Sequence, residues 1–355
     1  TATMKRCTTC GYAHIEDGGN MSEVCERCGT ALGGPGVIPD LVHLQNVSLK
    51  LAQRITCDEE ERQRYGYKLV TAYRFPDIGG RLDRKDAEVY VDGRLVMRLS
   101  YGDATSLYRV NLGWANQRGN QPPGFLLDLE RGYWARNPVD QDDPNEAMGA
   151  RQKRVVPYVT DTKNALVIRF DPGRPLAEMA GLQAAFKEAI QKRFQLESRE
   201  LACEAMPSAK ERLEILFYEA SEGGAGVLRE LVEDPQAIPA LARCALEICH
   251  FDPATLADTA AATCGKACYE CLLDYGNQPD HQFLDRFLIR DILAELTRSV
   301  GRPAGGAGSR ADRMAALRAA CDSKLGQRWL DMLDALVLRP PSDAQFLIEA
   351  CSTRP

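Results

Sequence analysis

Apolar residues recur along this chain in two periods, and the switch between them divides it. From residue 41 to 135 the period is short. KLVTAYRF is rich in strand-forming residues. AEVYVDGRLVMRLSY alternates on both sides of Asp92-Gly93, which predicts a hairpin closed by a type I′ turn. SLYRVNLGW and GFLLDLERGYW continue the pattern, with Val89, Val91, Val96, Tyr108 and Leu112 as sheet core. VVPYVTD and NALVIRF then read as two strands, the second apolar on both faces. After Pro175 the period lengthens. Leu176, Met179, Leu182, Phe186, Ile190 and Phe194 recur at helical steps and predict one buried stripe. RLEILFYEA predicts a strand, and IPALARCALEIC a helix ending at Cys249. Leu284, Phe287, Leu288 and Ile292 mark a helix through about residue 298. Residues 311–355 read as helical, with an apolar face along KLGQRWLDMLDALVL.

Polar, proline-rich or glycine-rich stretches separate these segments. PGVIPD (35–40) reads as a linker, RNPVDQDDPNEAMGARQK (136–153) as a loop or linker, and RPAGGAGSR (302–310) as a flexible connection. The expected fold class is α+β. Its parts are a zinc ribbon at 1–34, a β-rich domain at 41–135, a mixed α/β domain with a cysteine cluster at 151–298, and a helical C-terminus at 311–355.

Cysteine spacing adds chemistry to this outline. Cys7, Cys10, Cys25 and Cys28 follow C-x2-C-x14-C-x2-C, with Gly11 and Gly29 one residue after each pair. In such knuckles backbone amides point at the sulfurs, and the glycine permits the tight backbone. Cys264, Cys268 and Cys271 follow C-x3-C-x2-C, with Cys249 upstream. Four thiolates close a tetrahedral Zn²⁺ shell without an open position, so both sites are expected to be structural. His250, beside Cys249, is the rival fourth ligand. Cys244 points elsewhere, into the core. Loss of Cys268 is expected to unfold the C-terminal domain, and loss of Cys25 only the ribbon.

Composition and charge narrow the setting. The 355 residues carry thirteen cysteines and a net charge of −6. No export signal accompanies the cysteines, so a reducing cytoplasm with zinc suits them better than a disulfide framework. Nothing approaches an eighteen-residue apolar run, and no membrane partner is expected. The acidic balance gives no support to nucleic-acid binding, although a local basic face can still bind. Arg74, Arg109, Asn111, Trp114 and Arg118 set an aromatic among cationic and amide side chains, a mixture suited to base stacking and phosphate contact. The alternative is a solvated sheet edge. The SEGGAG turn exposes Gly223, Gly224 and Gly226 at a helix start, where backbone amides could meet an anion or simply allow close packing. Glu219 and Glu222 flank it and would repel a phosphate.

ACYECLLDYGNQPDHQFLDR resembles the cysteine cluster of the MrfA-like zinc-binding domain, found at the C-terminus of large bacterial DEAD/DEAH-box helicases of DNA repair or phage defence. The ribbon, YGDATSLYRVNLGW, VPYVTDTKNALVIRF, LFYEASEGGAGVL and LEICHFDP look like parts of that family in the same order, across residues 1–298. Residues 323–355 resemble the lead-in to a restriction-endonuclease-like domain. The resemblance implies a piece of a longer chain whose ATPase motor, with its ATP and Mg²⁺, lies before residue 1. Its expected partners are that motor and DNA, single-stranded or duplex with a single-stranded tail. No GxxxxGK[ST] and no DExH box occurs in the sequence. Three functions compete: a non-catalytic helicase accessory region, a self-contained nuclease, and an interaction scaffold.

Overall fold

The computed structural model describes residues 2–15, 22–44, 66–78, 81–115, 122–129, 132, 134–135, 152–220, 224–304, 314, 317–319, 321 and 323–335. They form two units, residues 1–302 and 303–355. The class is α+β, as expected.

Two long antiparallel strands carry the first unit: β8 (Arg94–Trp114) and β11 (Gln152–Phe170). Each was read as two shorter strands. The polar stretch Thr160–Lys163 carries no glycine or proline, so nothing turns the chain and it stays extended opposite Thr105–Tyr108. A bulge between Lys163 and Ala165 takes up the irregularity. At one end, the hairpin partner β7 (Lys85–Val91) joins β8, and β14 (Val300–Pro303) joins β7. There β13 (Glu214–Glu219) joins β11, and β12 (Leu201–Met206) joins β13. At the other end, β4 (Tyr67–Arg74) joins β8, while β9 (Phe125–Asp128) and β3 (Val37–His43) join β11. The segments read as separate β and α/β domains thus share one sheet. The hairpin turn is as expected, with Asp92 and Gly93 both at positive φ.

The PGVIPD stretch is no linker. Gly34–Gly36 forms a short 3-10 turn, and Val37 begins β3, which pairs with β1 (Ala2–Arg6) and runs parallel to β11. β2 (Ala13–Ile15) completes that end. Both prolines sit where a missing N–H is tolerated, Pro35 in the 3-10 turn and Pro39 at the register shift of the β1–β3 pairing, before the pairing with β11 begins at Leu41.

The alternation of β11 and β13 assigns the two faces. Leu166, Ile168, Ile215 and Phe217 point into one core, covered by α1 (Leu176–Phe194), α2 (Val227–Glu233), α3 (Ala237–Ile248) and α4 (Arg286–Leu296). Ala165, Val167, Leu216 and Tyr218 point the other way, onto the cysteine knuckles of the ribbon. Each strand is therefore buried on both faces, and its apolar run follows from that. In the second unit, Leu330 of α5 (Lys324–Ala335) packs with Met314, Leu317 and Cys321.

Candidate metal centres

The two ribbon knuckles are copies of one another in their hydrogen bonds. Cys7 N–H donates to Tyr12 O at 2.9 Å, and Gly11 N–H donates to Cys7 O at 2.9 Å. Cys25 N–H donates to Thr30 O at 2.8 Å, and Gly29 N–H donates to Cys25 O at 2.9 Å. Gly11 and Gly29 share φ of 75°, the left-handed conformation that favours glycine. All four sulfurs lie within 4.8 Å of one another. Cys7 and Cys28 sulfurs are 3.5 Å apart, and those of Cys10 and Cys25 3.7 Å. A tetrahedron with Zn–S of about 2.3 Å has edges of about 3.8 Å, so the cage is of the right size.

Charge supports the same fit. Burial pushes the Cys7 thiol up to about 11. The hydrogen bond with Cys25, then burial, raises Cys10 as well. Packed thiols of this kind resist ionising next to one another, and a dication is what would let them do so.

The ribbon is fastened to the sheet by polar bonds through its core. Arg27 Nη1 donates to Glu214 Oε2 at 2.6 Å, with both side chains buried. Its guanidinium also lies over the Tyr73 ring, 5.6 Å from the centroid. Arg6 donates to Thr71 O at 2.8 Å and to Pro207 O. None of these contacts was anticipated, because each joins residues far apart in sequence.

The second cluster lies in the helical layer. His250, Cys264, Cys268 and Cys271 bring one donor atom each within 4.8 Å of the others. His250 Nε2 lies 3.3 Å from Cys268 Sγ. Cys271 Sγ lies 3.5 Å from Cys268 Sγ and 3.9 Å from Cys264 Sγ. The set therefore has His250 where the sequence reading placed Cys249. Helix periodicity is the reason. Cys249 continues the buried stripe of Ala242, Ala245 and Leu246 and is fully buried beside the three cysteines, but it is outside the set of four donor atoms that lie within 4.8 Å of one another. The helix stops at Ile248, and His250, with φ of 62°, swings its ring toward the cysteines. Three sulfurs and an imidazole suit a borderline ion such as zinc. Burial pushes the Cys271 thiol up to about 12. It pushes Cys268 up too, but hydrogen bonds from His250, the Glu270 backbone and the sister thiols outweigh it and bring Cys268 down to about 7.

Arg286, overlooked in the sequence, holds this cluster's frame. Its side chain is fully buried at the start of α4. It donates to the carbonyls of Gly265, Cys249 and Cys264 at 2.9, 3.2 and 2.7 Å, and to both Asp258 carboxylate oxygens at 2.8 and 2.6 Å. The rings of Phe251 and Phe287 flank the guanidinium, 4.9 and 4.4 Å from it. One planar fork thus ties both chain segments that carry the candidate donors to α4. Asp285 accepts from Phe287 N–H and caps the same helix. The only sequence signal was an arginine directly after a helix cap in FLDR.

The glycine turn is also decided. Glu219 is buried, and its carboxylate accepts from Gly226 N–H at 3.0 Å, Leu228 N–H at 3.1 Å and Asn164 Nδ2 at 3.1 Å. An internal carboxylate already occupies the anion position at the start of α2. Gly223 and Glu222 lie outside the described residues.

The residues read as nucleic-acid contacts do not converge. Arg109 pairs with Glu204 at 2.6 Å and donates to Tyr218. Asn111 accepts from Gly113 N–H at 3.1 Å. Arg74 ends β4, opposite Ser106. Trp114 is half exposed and stacks on Tyr67 at 4.5 Å, with Phe125 and then Trp134 continuing the row. Arg118 lies outside the described residues.

Residues 182–272 match the family model of the MrfA Zn-binding domain. This segment is an MrfA-like zinc-binding domain. The match takes in α3, His250 and all three clustered cysteines. A search of curated proteins finds no match. Among solved structures, the crystal structure of the DUF1998 helicase MrfA bound to DNA is similar over 64% of this chain, at 10% identity and a TM-score of 0.36. The alignment covers 25% of that chain, so the present one spans about a quarter of its length. No helix among the described residues is long and apolar enough to cross a membrane.

Proposed function

We propose that this chain is a zinc-stabilised accessory region of a DEAD/DEAH-box helicase, acting in DNA repair or phage defence. The observation that carries the reading is the MrfA Zn-binding domain match over residues 182–272, whose C-terminal end holds a donor cage. One structural zinc is held by Cys7, Cys10, Cys25 and Cys28, and a second by His250, Cys264, Cys268 and Cys271. Neither shell leaves a position for water, so the ions supply folding free energy and rigidity rather than chemistry. The motor, with ATP and Mg²⁺, belongs to the rest of the parent chain. The domain supports that motor's hold on DNA with a single-stranded portion, in the cytoplasm.

The row formed by Tyr67, Trp114, Phe125 and Trp134 is the surface best suited to unpaired bases, because successive rings offer stacking faces without reading sequence. The test is binding of a labelled oligo-dT and of a tailed duplex across a salt series. Affinity that falls with salt and drops on Trp114→Ala supports the reading; a chain that binds neither DNA at low salt overturns it. A second reading, a protein-interaction scaffold without DNA contact, draws on Arg109, whose charge is already committed to Glu204.

A further inference from the structure

β12 is an edge strand whose free side opens into a cleft. Among the described residues it pairs only with β13. The bonds Ala220 N–H to Glu200 O at 2.8 Å and Leu213 N–H to Met206 O at 2.7 Å set the parity of the ladder. Even-numbered residues of β12 direct their backbone toward β13. Leu201, Cys203 and Ala205 direct theirs outward, where no described residue meets them. The cleft beside them has a volume of about 780 Å³ and follows the strand along its whole length.

Natural proteins cover or blunt such an edge, since a row of unpaired N–H and C=O groups is a template for another strand. The opposite end of the sheet shows this, because β14 is short and carries Arg302 and Pro303. β12 has no charge pointing along its edge and no proline before Pro207. Its protection is the cleft itself, which admits one extended chain and excludes another sheet.

We propose that β12 receives an extended segment of a partner polypeptide by strand addition, with side chains alternating apolar and neutral polar. The walls dictate this alternation. On the helix side the added strand meets Ala184, Leu272, Pro279 and Leu284. On the ribbon side it meets Thr71 and the Arg109–Glu204 pair. Most charges lining the cleft are matched: Lys187 lies 2.9 Å from Asp274, Arg212 lies 2.7 Å from Asp280 and Arg109 lies 2.6 Å from Glu204, while Arg6 donates to backbone carbonyls and Glu188 and Arg199 leave one charge of each sign at the walls. An entering charge would meet both signs at once. The same matching disfavours single-stranded DNA, whose phosphates would face Glu204, Asp274 and Asp280. Phosphodiesters also bring acceptors alone, whereas the edge offers donors and acceptors in alternation.

The probe is a fluorescein-labelled peptide alternating threonine and valine over seven residues, titrated by anisotropy into the whole chain with its zinc. Saturable binding is expected, and Ala205→Pro should weaken it about tenfold by removing an outward N–H without touching the β12–β13 ladder. Zinc content and circular dichroism establish that the variant is folded. Should it not fold, the same peptide N-methylated at every amide decides from the ligand side, because it cannot pair and should not bind. The proposal is overturned by absence of saturable binding, by unchanged affinity in folded Ala205→Pro, by equal binding of the N-methylated peptide, or by displacement of the probe with oligo-dT.

Discussion

The two candidate metal centres differ in what surrounds them more than in their donors. The ribbon cage lies against one face of β11 and β13, with its sulfurs in the same cluster as Val167, Leu216 and Tyr73. The MrfA-like cage lies on the other side of that sheet, in the loops that join α3 to α4, with Cys268 partly exposed. The first is wedged into a sheet, and the second is pinned by a single arginine. A zinc site's influence follows from which surfaces rest on it, not from its distance to a chain terminus.

This comparison reverses the expectation that losing Cys25 affects the ribbon alone. Structural zinc in small sites is worth on the order of 10 kcal/mol or more, against domain stabilities of about 5–15 kcal/mol. Cys25→Ser should therefore strip the cover from Val167 and Leu216 and speed amide hydrogen exchange in β11 and β13. Cys268→Ser should confine the increase to about residues 250–285. Exchange mapped by mass spectrometry decides between them, and a larger effect on β11 from Cys268→Ser would refute the comparison.

Arg286→Lys comes next. A single ammonium cannot replace a fork that serves three carbonyls and a carboxylate. Each buried carbonyl left unpaired costs about 1–3 kcal/mol, so the melting temperature should drop and zinc should leave the second site first. Retention of both zinc ions at the parent's melting temperature would make the arginine dispensable. Arg27→Ala leaves the buried Glu214 carboxylate with only the more distant Arg169, 4.0 Å away, a loss of up to about 3–5 kcal/mol. It should loosen the ribbon while leaving the second zinc in place, as metal analysis after limited proteolysis would show.

A sharper contrast separates neighbours. His250→Ala should remove about one zinc per chain, whereas Cys249→Ala should keep both and cost only the packing of a small buried side chain. The reverse result would restore Cys249 as the ligand. The smallest effect concerns pH in chelator-stripped protein. Cys7 and Cys271 titrate at about 11 and 12 in the folded chain, above the ordinary thiol value of 9.0. The unfolded chain ionises these two first, so their contribution is whole below pH 9.0 and is lost as pH rises toward those folded values, whereas Cys268, brought down to about 7, contributes above pH 9.0 and loses that contribution as pH falls through about 7. Zinc-loaded protein should lack this slope in denaturant titrations.

Local patterns were readable in the sequence to the extent that their causes are local. The Asp92-Gly93 turn, the stripe of α1 and the ribbon knuckles all depend on residues within a few positions of one another. The MrfA-like cluster was legible as three cysteines in a polar turn. The place of His250 in the donor set was not, because weighing it against Cys249 requires knowing where the helix stops. That Cys249 continues the stripe of Ala242, Ala245 and Leu246 was the available hint. The joining of β3 to β11 could not be read, since Leu41 and Val156 meet only through the sheet. Arg286 and Glu219 look like ordinary surface charges until burial shows them serving backbone groups.

The Arg27–Glu214 contact has a consequence for how the protein is made. Its two residues are 187 positions apart. At about 5–20 residues per second, roughly 10–40 s pass between synthesis of the ribbon and synthesis of the strand it rests on. During that interval four cysteines have left the ribosome while their sheet does not yet exist. Zinc captured then would keep the nascent knuckles from oxidising or mispairing, and hold them in shape until β11 and β13 arrive. The order of translation would thus make a metal held by the ribbon a placeholder for a surface still to be synthesised.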